Sequence, residues 1–308
     1  MDSGQIDIKQ IIRELSDETK PLSNTNLAEL SNITPEEVRL ISSSWLDIKV
    51  ERRRNIIKRL SQLTEDNFEF NFDSIFKFTL KDPDPEIRAE SIGGLWENEE
   101  IALISPFIKA LKEDPSEIVQ TAAAKGLGKY AMLSELNKLG DFSANRVLDS
   151  LLSVLNNPDK PIEVWRRALE AAAPLSVPEV RDAIEEAYRS ENPRVKNSAI
   201  FAMGRNCDSI WVPILLKELD SESPETRFEA AGACGEMCEE EAVPQLIKLT
   251  EDPDVQVQQT AIMSLGMIGG PRAKAHLQKI VSGNDDLLIE AAKTALEQIK
   301  VEEDEFSL

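Results

Sequence analysis

Apolar residues recur at steps of four along much of this chain, and whole groups of them recur every 31 residues. Ala168, Ala199, Ala230, Ala261 and Ala292 are spaced 31 apart without a gap. Val164, Val195, Thr226, Val257 and Leu288 stand four residues before them, and Ala172, Met203, Cys234, Leu265 and Leu296 four after. Steps of four place each set on one face of a helix. A small residue at the centre of that face predicts a closely packed neighbour, since a larger side chain would hold the two axes apart. One position further come Ala173, Gly204, Gly235 and Gly266. There the pattern predicts that the helix ends on a residue able to take the left-handed conformation.

Prolines mark the starts. Pro115, Pro161, Pro193, Pro224 and Pro253 open the first helix of each unit, mostly after Asp, Asn, Ser or Lys, and Pro106, Pro178, Pro213 and Pro244 open the second. Proline suits the first helical turn, and Asp, Asn or Ser caps it. Each unit therefore reads as proline, helix, glycine turn, proline, helix, and nothing reads as a strand. Upstream, Ile87, Ser91 and Leu95 match Val119, Ala123 and Leu127 at a step of 32, and the step from Val119 to Val164 is 45. Those 14 extra residues fall near 130–145, where the pattern predicts a loop protruding from the stack.

The chain divides into four segments on this reading. Residues 1–22 form a flexible N-terminal segment with a short helix over the isoleucines from Ile6 to Ile12. Residues 23–81 form a divergent helical cap, in which Thr34 and Glu37 make a capping box. The repeats occupy 82–300, and 301–308 is an acidic tail expected to be disordered. The predicted fold is all-α: a right-handed α-solenoid, an α-α superhelix of helical hairpins.

Charge and composition narrow the functions. The 308 residues carry a formal net charge of −21, which opposes nucleic acid and anionic membrane in bulk. No apolar run approaches the roughly 18 residues that span a bilayer, and the first residues lack the layout of a secretory signal, so the expected location is cytoplasmic. Three cysteines, Cys207, Cys234 and Cys238, supply neither a disulfide framework nor a zinc site, and the single histidine, His276, has no nucleophile placed beside it by the sequence. Neither a metal nor a cofactor is expected. Gly126–Lys129 and Gly266–Gly270 are glycine-rich, but each lies where a helix ends, the wrong end for phosphate.

At residues 82–96, 114–128, 192–204, 223–235 and 252–266 the chain resembles the short bacterial HEAT-like repeats of the phycobilisome-lyase type. Their pattern is Asp-Pro, a Val or Ile before Arg, then alanines running to Leu-Gly. The family's arginine stands at Arg88, Arg166 and Arg227, is replaced by Lys196, and is absent at Gln120 and Gln258. The resemblance covers about 82–300. It implies a scaffold that binds a protein. It also implies, as an alternative, a bilin lyase-type activity exercised with a companion subunit, and more remotely a HEAT-like nucleic-acid-binding protein.

Two basic features stand out in so acidic a chain. Lys49, Arg52, Arg53, Arg54, Lys58 and Arg59, with Glu51, carry +5 over 11 residues. That run fits either a docking site for an acidic partner or a solvated helix face. Lys217, Lys248 and Lys279 stand 31 apart on successive second helices, with Lys109 at a comparable place upstream. In HEAT-like solenoids second helices line the concave side, so these lysines fit a ladder there; they equally fit cations that complement helix C-termini. The expected activity is a non-catalytic adaptor that holds a partner helix or extended segment bearing acidic groups. Trp45, Trp96, Trp165 and Trp211 are candidate apolar anchors or fillers of gaps between units.

Overall fold

The computed structural model describes residues 8–305, and every regular element among them is a helix. The chain separates into two compact units, one ending at Ala171 and one beginning at Ala172. The first holds α1 (Ile8–Ser16), α2 (Asn24–Ala28), α3 (Pro35–Ser44), α4 (Val50–Asp66), α5 (Asp73–Thr79), α6 (Pro85–Gly94), α7 (Ile104–Glu113), α8 (Glu117–Glu135) and α9 (Asp141–Leu155), and α10 (Ile162–Ala172) closes it. The second holds α11 (Pro178–Tyr188), α12 (Pro193–Asn206), α13 (Val212–Glu218), α14 (Pro224–Glu236), α15 (Val243–Leu249), α16 (Val255–Ile268), α17 (Gly270–Val281) and α18 (Asp286–Glu305).

Pro178, Pro193 and Pro224 open their helices as the sequence predicts, whereas Pro115, Pro161 and Pro253 stand just before the first helical turn and Pro106 is the third residue of α7. Asp84, Asn192, Ser223 and Asp254 each accept a backbone N–H from the turn that follows, and Pro85, Pro193 and Pro224 fill the first position after the cap. Thr34 and Glu37 form the full capping box. The alanine column from Ala168 to Ala292 is wholly buried.

First helices stack directly on one another: α4 on α6 on α8 in the first unit, α12 on α14 on α16 on α18 in the second. Second helices such as α13, α15 and α17 meet far less. The glycines produce this difference, but not as helix terminators. Gly204, Gly235 and Gly266 lie inside their helices, one or two residues before the last helical residue. A β-carbon on Gly204 would stand 2.6 Å from Ala233 Cα, and one on Gly266 would stand 2.7 Å from Ala295 Cβ. Their role is backbone approach between neighbouring first helices. The left-handed positions that close α12 and α14 are Cys207 (φ 53°) and Cys238 (φ 49°).

Three further features differ from the sequence expectation. The extra residues near 130–145 make helix, not a protruding loop. α8 continues to Glu135 because Tyr130 and Ala131 are wholly buried, and Asn137 (φ 56°) turns the chain into a long α9. α4 belongs to the same stack as the repeats. Of the acidic tail, residues 301–305 continue α18, and 306–308 lie outside the described residues, as do 1–7 at the start of the N-terminal segment.

Candidate functional site

The structure absorbs most of the basic run into the scaffold. Arg88 donates through Nε and Nη2 to Asp114 at 2.9 and 2.8 Å, and through Nη1 to the carbonyls of Asp82 and Pro83. Arg227 repeats the arrangement on Asp252 and on the carbonyls of Ser221 and Glu222. Lys196 takes the same place against Glu218 at 3.0 Å. Arg88 and Arg227 tie the start of their helices to the turn before the next first helix, and Lys196 ties its helix to the last residue of α13. Gln120 and Gln258 keep half of this clasp: each donates Nε2 to the carbonyl six residues back, Asp114 and Asp252, at 2.6 Å.

Arg53 is the upstream member of that series. It is buried, its Nε lies 3.2 Å from Asp82 Oδ2, and Nη1 donates to the Ile48 carbonyl. Asp82 also accepts Trp45 Nε1 at 2.6 Å. Arg52 donates to the carbonyls of Leu15 and Lys20, Arg54 grips Asp84 at 3.0 and 2.6 Å, and Arg59 donates to Asn24 and Gln62. Lys49 pairs with Glu18, which leaves Lys58 as the exposed member with no ion pair among the described residues. The guanidiniums of this run already hold internal acceptors, so an acidic partner docking there would have to displace them.

One of these pairs is readable by pH. The Arg54 guanidinium holds Asp84 below its ordinary value of 3.8, helped by the backbone N–H of Ile87 and opposed by burial. A carboxyl depressed in this way stabilises the fold above 3.8, and that contribution is lost as pH falls through its folded value. Arg54→Gln is expected to lower stability at neutral pH by a small, salt-sensitive amount. The gap to the parent should close progressively in acid, as followed by urea unfolding. A gap that stayed constant with pH would show that charge pairing is not its source.

The lysine column is exposed on the second-helix row. Lys217 lies 3.9 Å from Glu218, while Lys248 and Lys279 make no ion pair among the described residues. All three lie on the second-helix row, on α13, α15 and α17. Lys109 stands on the wall of an apolar groove between α5 and α7.

Several exposed apolar groups lie along the first-helix row; of these, sequence reasoning singled out Trp96 and passed over Ile118, Phe201, Phe228 and Met263. In the first unit a groove of about 530 Å³ runs between α6 and α8, floored by Ala89, Gly93, Ala122 and Gly126. Trp96 and Ile118 flank it, 61% and 47% exposed. The other three tryptophans are internal. Trp45 donates to Asp82, Trp165 to the Leu155 carbonyl and Trp211 to Asn206.

In the second unit Phe201, Gly232 and Met263 occupy one column, 31 apart on the stacked α12, α14 and α16, and Phe228 lies one turn before Gly232. Phe201, Phe228 and Met263 are exposed. Gly93 and Gly232 share a register position, two residues after Ser91 and Ala230 of the central column. A β-carbon on Gly93 would meet nothing within 4 Å, and one on Gly232 only Thr260 Cγ2 at 3.7 Å. Unlike Gly204 and Gly235, these two glycines serve no internal contact. Each is a notch in an exposed apolar surface.

The reactive side chains are placed quietly. His276 shares a hydrogen bond with the Thr250 hydroxyl, and burial together with Lys279 lowers its pKa. Burial pushes the Cys234 thiol up to about 12 and raises Cys207, with Glu236 adding to the latter. These shifts oppose thiolate formation. Among the described residues no group of His, Cys, Asp or Glu is arranged to hold a metal, and no helix is long and apolar enough to cross a membrane.

The sequence model of the family described as HEAT repeats matches residues 72–161 and 212–297. No curated protein matches the chain. Three solved structures illustrate the backbone similarity. The complex of CpcE and CpcF of phycocyanin lyase from a Nostoc species is 16% identical, with 74% of this chain and 94% of that chain covered and a TM-score of 0.48. Human deoxyhypusine hydroxylase is 17% identical, with 95% and 96% covered and a TM-score of 0.38. Importin beta is 16% identical, with 95% of this chain and 44% of that one covered and a TM-score of 0.47.

Proposed function

The chain belongs to the HEAT-repeat family, and from that premise we propose that it is a non-catalytic scaffold that holds a segment of a partner protein along its first-helix row. The observation that carries this reading is the pair of glycine notches, Gly93 and Gly232, each bordered by exposed apolar side chains. Glycine inside a helix costs about 1 kcal/mol relative to alanine. At Gly204 and Gly235 close packing offsets that cost. At Gly232 no contact within the protein does, so the hollow is explained by a group that enters from outside.

The surroundings supply what such a group needs. Trp96 and Ile118 around one notch, and Phe201, Phe228 and Met263 around the other, present large side chains for burial on association. Polar neighbours frame them, Lys125 in the first unit and Asn197 and Gln259 in the second. A helix or extended segment with bulky apolar residues fits this layout in the helix-in-groove manner. The partner belongs with the protein in the cytoplasm, without membrane or nucleic acid, in keeping with the charge of −21.

The test fills the notches. At Gly93 an added β-carbon meets nothing within 4 Å and at Gly232 only Thr260 Cγ2 at 3.7 Å, so Gly93→Leu and Gly232→Leu are expected to keep the parent's circular dichroism and thermal unfolding. Partners cross-linked and captured by the parent from its native cell should fall at least about tenfold with the double variant, since a blocked anchor pocket typically costs more than 1.4 kcal/mol. Undiminished capture by a folded double variant would refute the first-helix row as the binding face.

A further inference from the structure

The looser second-helix row contains one built hollow. α5 is only 7 residues long and stands apart from α7, which opens a groove of about 570 Å³ between them. Leu80, Leu103, Pro106, Phe107, Ala110 and Val119 give it an apolar lining. Three lysines border it: Lys77 and Lys81, one turn apart on one wall, and Lys109 on the other. Lys77 is occupied by Glu100 at 2.6 Å, and the bordering Asp114 is occupied by Arg88. Lys81 and Lys109 are exposed and make no ion pair among the described residues, with Glu113 as the remaining acid of the rim. An apolar hollow with two uncommitted cations on opposite walls is thus set in a chain of charge −21.

We propose that this α5–α7 groove is a second binding site, which takes a bulky apolar side chain of an acidic peptide segment. The apolar side chain fills the hollow while flanking carboxylates meet Lys81 and Lys109. The volume admits one or two large side chains, and the cations select for acidic flanks by electrostatic complementarity. The site is separate from the glycine notches, and it rests on the scaffold reading only for the class of its occupant.

The probe is a fluorescein-labelled peptide of alternating Glu and Asp around a central Phe, titrated with the full chain and read by anisotropy. The parent should bind saturably. Replacing the peptide's Phe by Ala, or introducing Lys81→Glu with Lys109→Glu in the protein, should each weaken binding at least about tenfold. Raised salt should weaken it further. Gly93→Leu with Gly232→Leu should leave it unchanged. Absence of saturable binding, or binding indifferent to the lysine reversals, overturns the site and leaves the first-helix scaffold untouched. Binding lost through the glycine variants and kept by the lysine variants assigns the peptide to the first-helix row instead, which also overturns this proposal. Because both lysines are exposed, the reversals are expected to leave thermal unfolding unchanged, so a loss of binding reads the site and not the fold.

Discussion

Asp82→Ala should destabilise the N-terminal part of the protein by about 3–5 kcal/mol, the scale seen when one partner of a buried ion pair is removed. Asp82 is 4% exposed and meets three donors from distant or local chain: Arg53, the Trp45 indole and the Asp84 N–H. Its loss leaves the Arg53 guanidinium charged and buried, with the Ile48 carbonyl as its remaining acceptor. It also removes the acceptor of the Trp45 indole. Repeat stacks unfold by neighbouring units, so the damage should be regional. Hydrogen exchange should show α4 and α5 opening well before α8, with the helices of the second unit unchanged. Adding Arg53→Met to Asp82→Leu should recover much of the loss, since an apolar pair removes the stranded charge. A single variant within about 1 kcal/mol of the parent would show that the pair contributes little net stability.

Glycine-to-alanine changes should split into two groups with opposite signs. At Gly235 the new methyl would stand 2.9 Å from Ser264 Cβ and 3.0 Å from Ser264 Cα, and at Gly204 it would stand 2.6 Å from Ala233 Cα. Backbone has to move there, so each change is expected to cost about 1–3 kcal/mol even after the gain in helix propensity. At Gly232, three residues from Gly235 on the same helix, the methyl meets only Thr260 Cγ2 at an unstrained 3.7 Å, and alanine should raise stability by about 0.5–1 kcal/mol. Thermal unfolding of the single variants reads this directly. A destabilising Gly232→Ala would mean that the notch has an internal packing role, and it would remove the main support for the first-helix binding face.

That contrast marks how far the sequence reaches. Gly232 and Gly235 are equally helical in pattern, and their different duties come from the direction each faces relative to α16. The 31-residue register could have found Gly93 and Gly232, since both fall on the column of Phe201 and Met263. What drew the eye instead was charge. The basic run near 49–59 looks available because its acceptors, Asp82, Asp84, Asn24 and the carbonyls of Leu15 and Lys20, lie 29–37 residues away on other segments. Gln120 and Gln258 looked like gaps in an arginine ladder, but their amides retain its carbonyl contact.

The sequence alone determined the helical class, the period, the buried alanine column and most helix starts. All of these follow from interactions within one turn or one face: capping by Asp, Asn, Ser and Thr, proline in the first turn, and apolar spacing of four. Tertiary structure decided which row of helices packs closely, where the glycines act, that the extra residues near 130–145 become helix, and which cations remain uncommitted. Those outcomes depend on contacts between segments a full repeat apart, where a methyl's worth of space on one face separates a packed seam from an open notch.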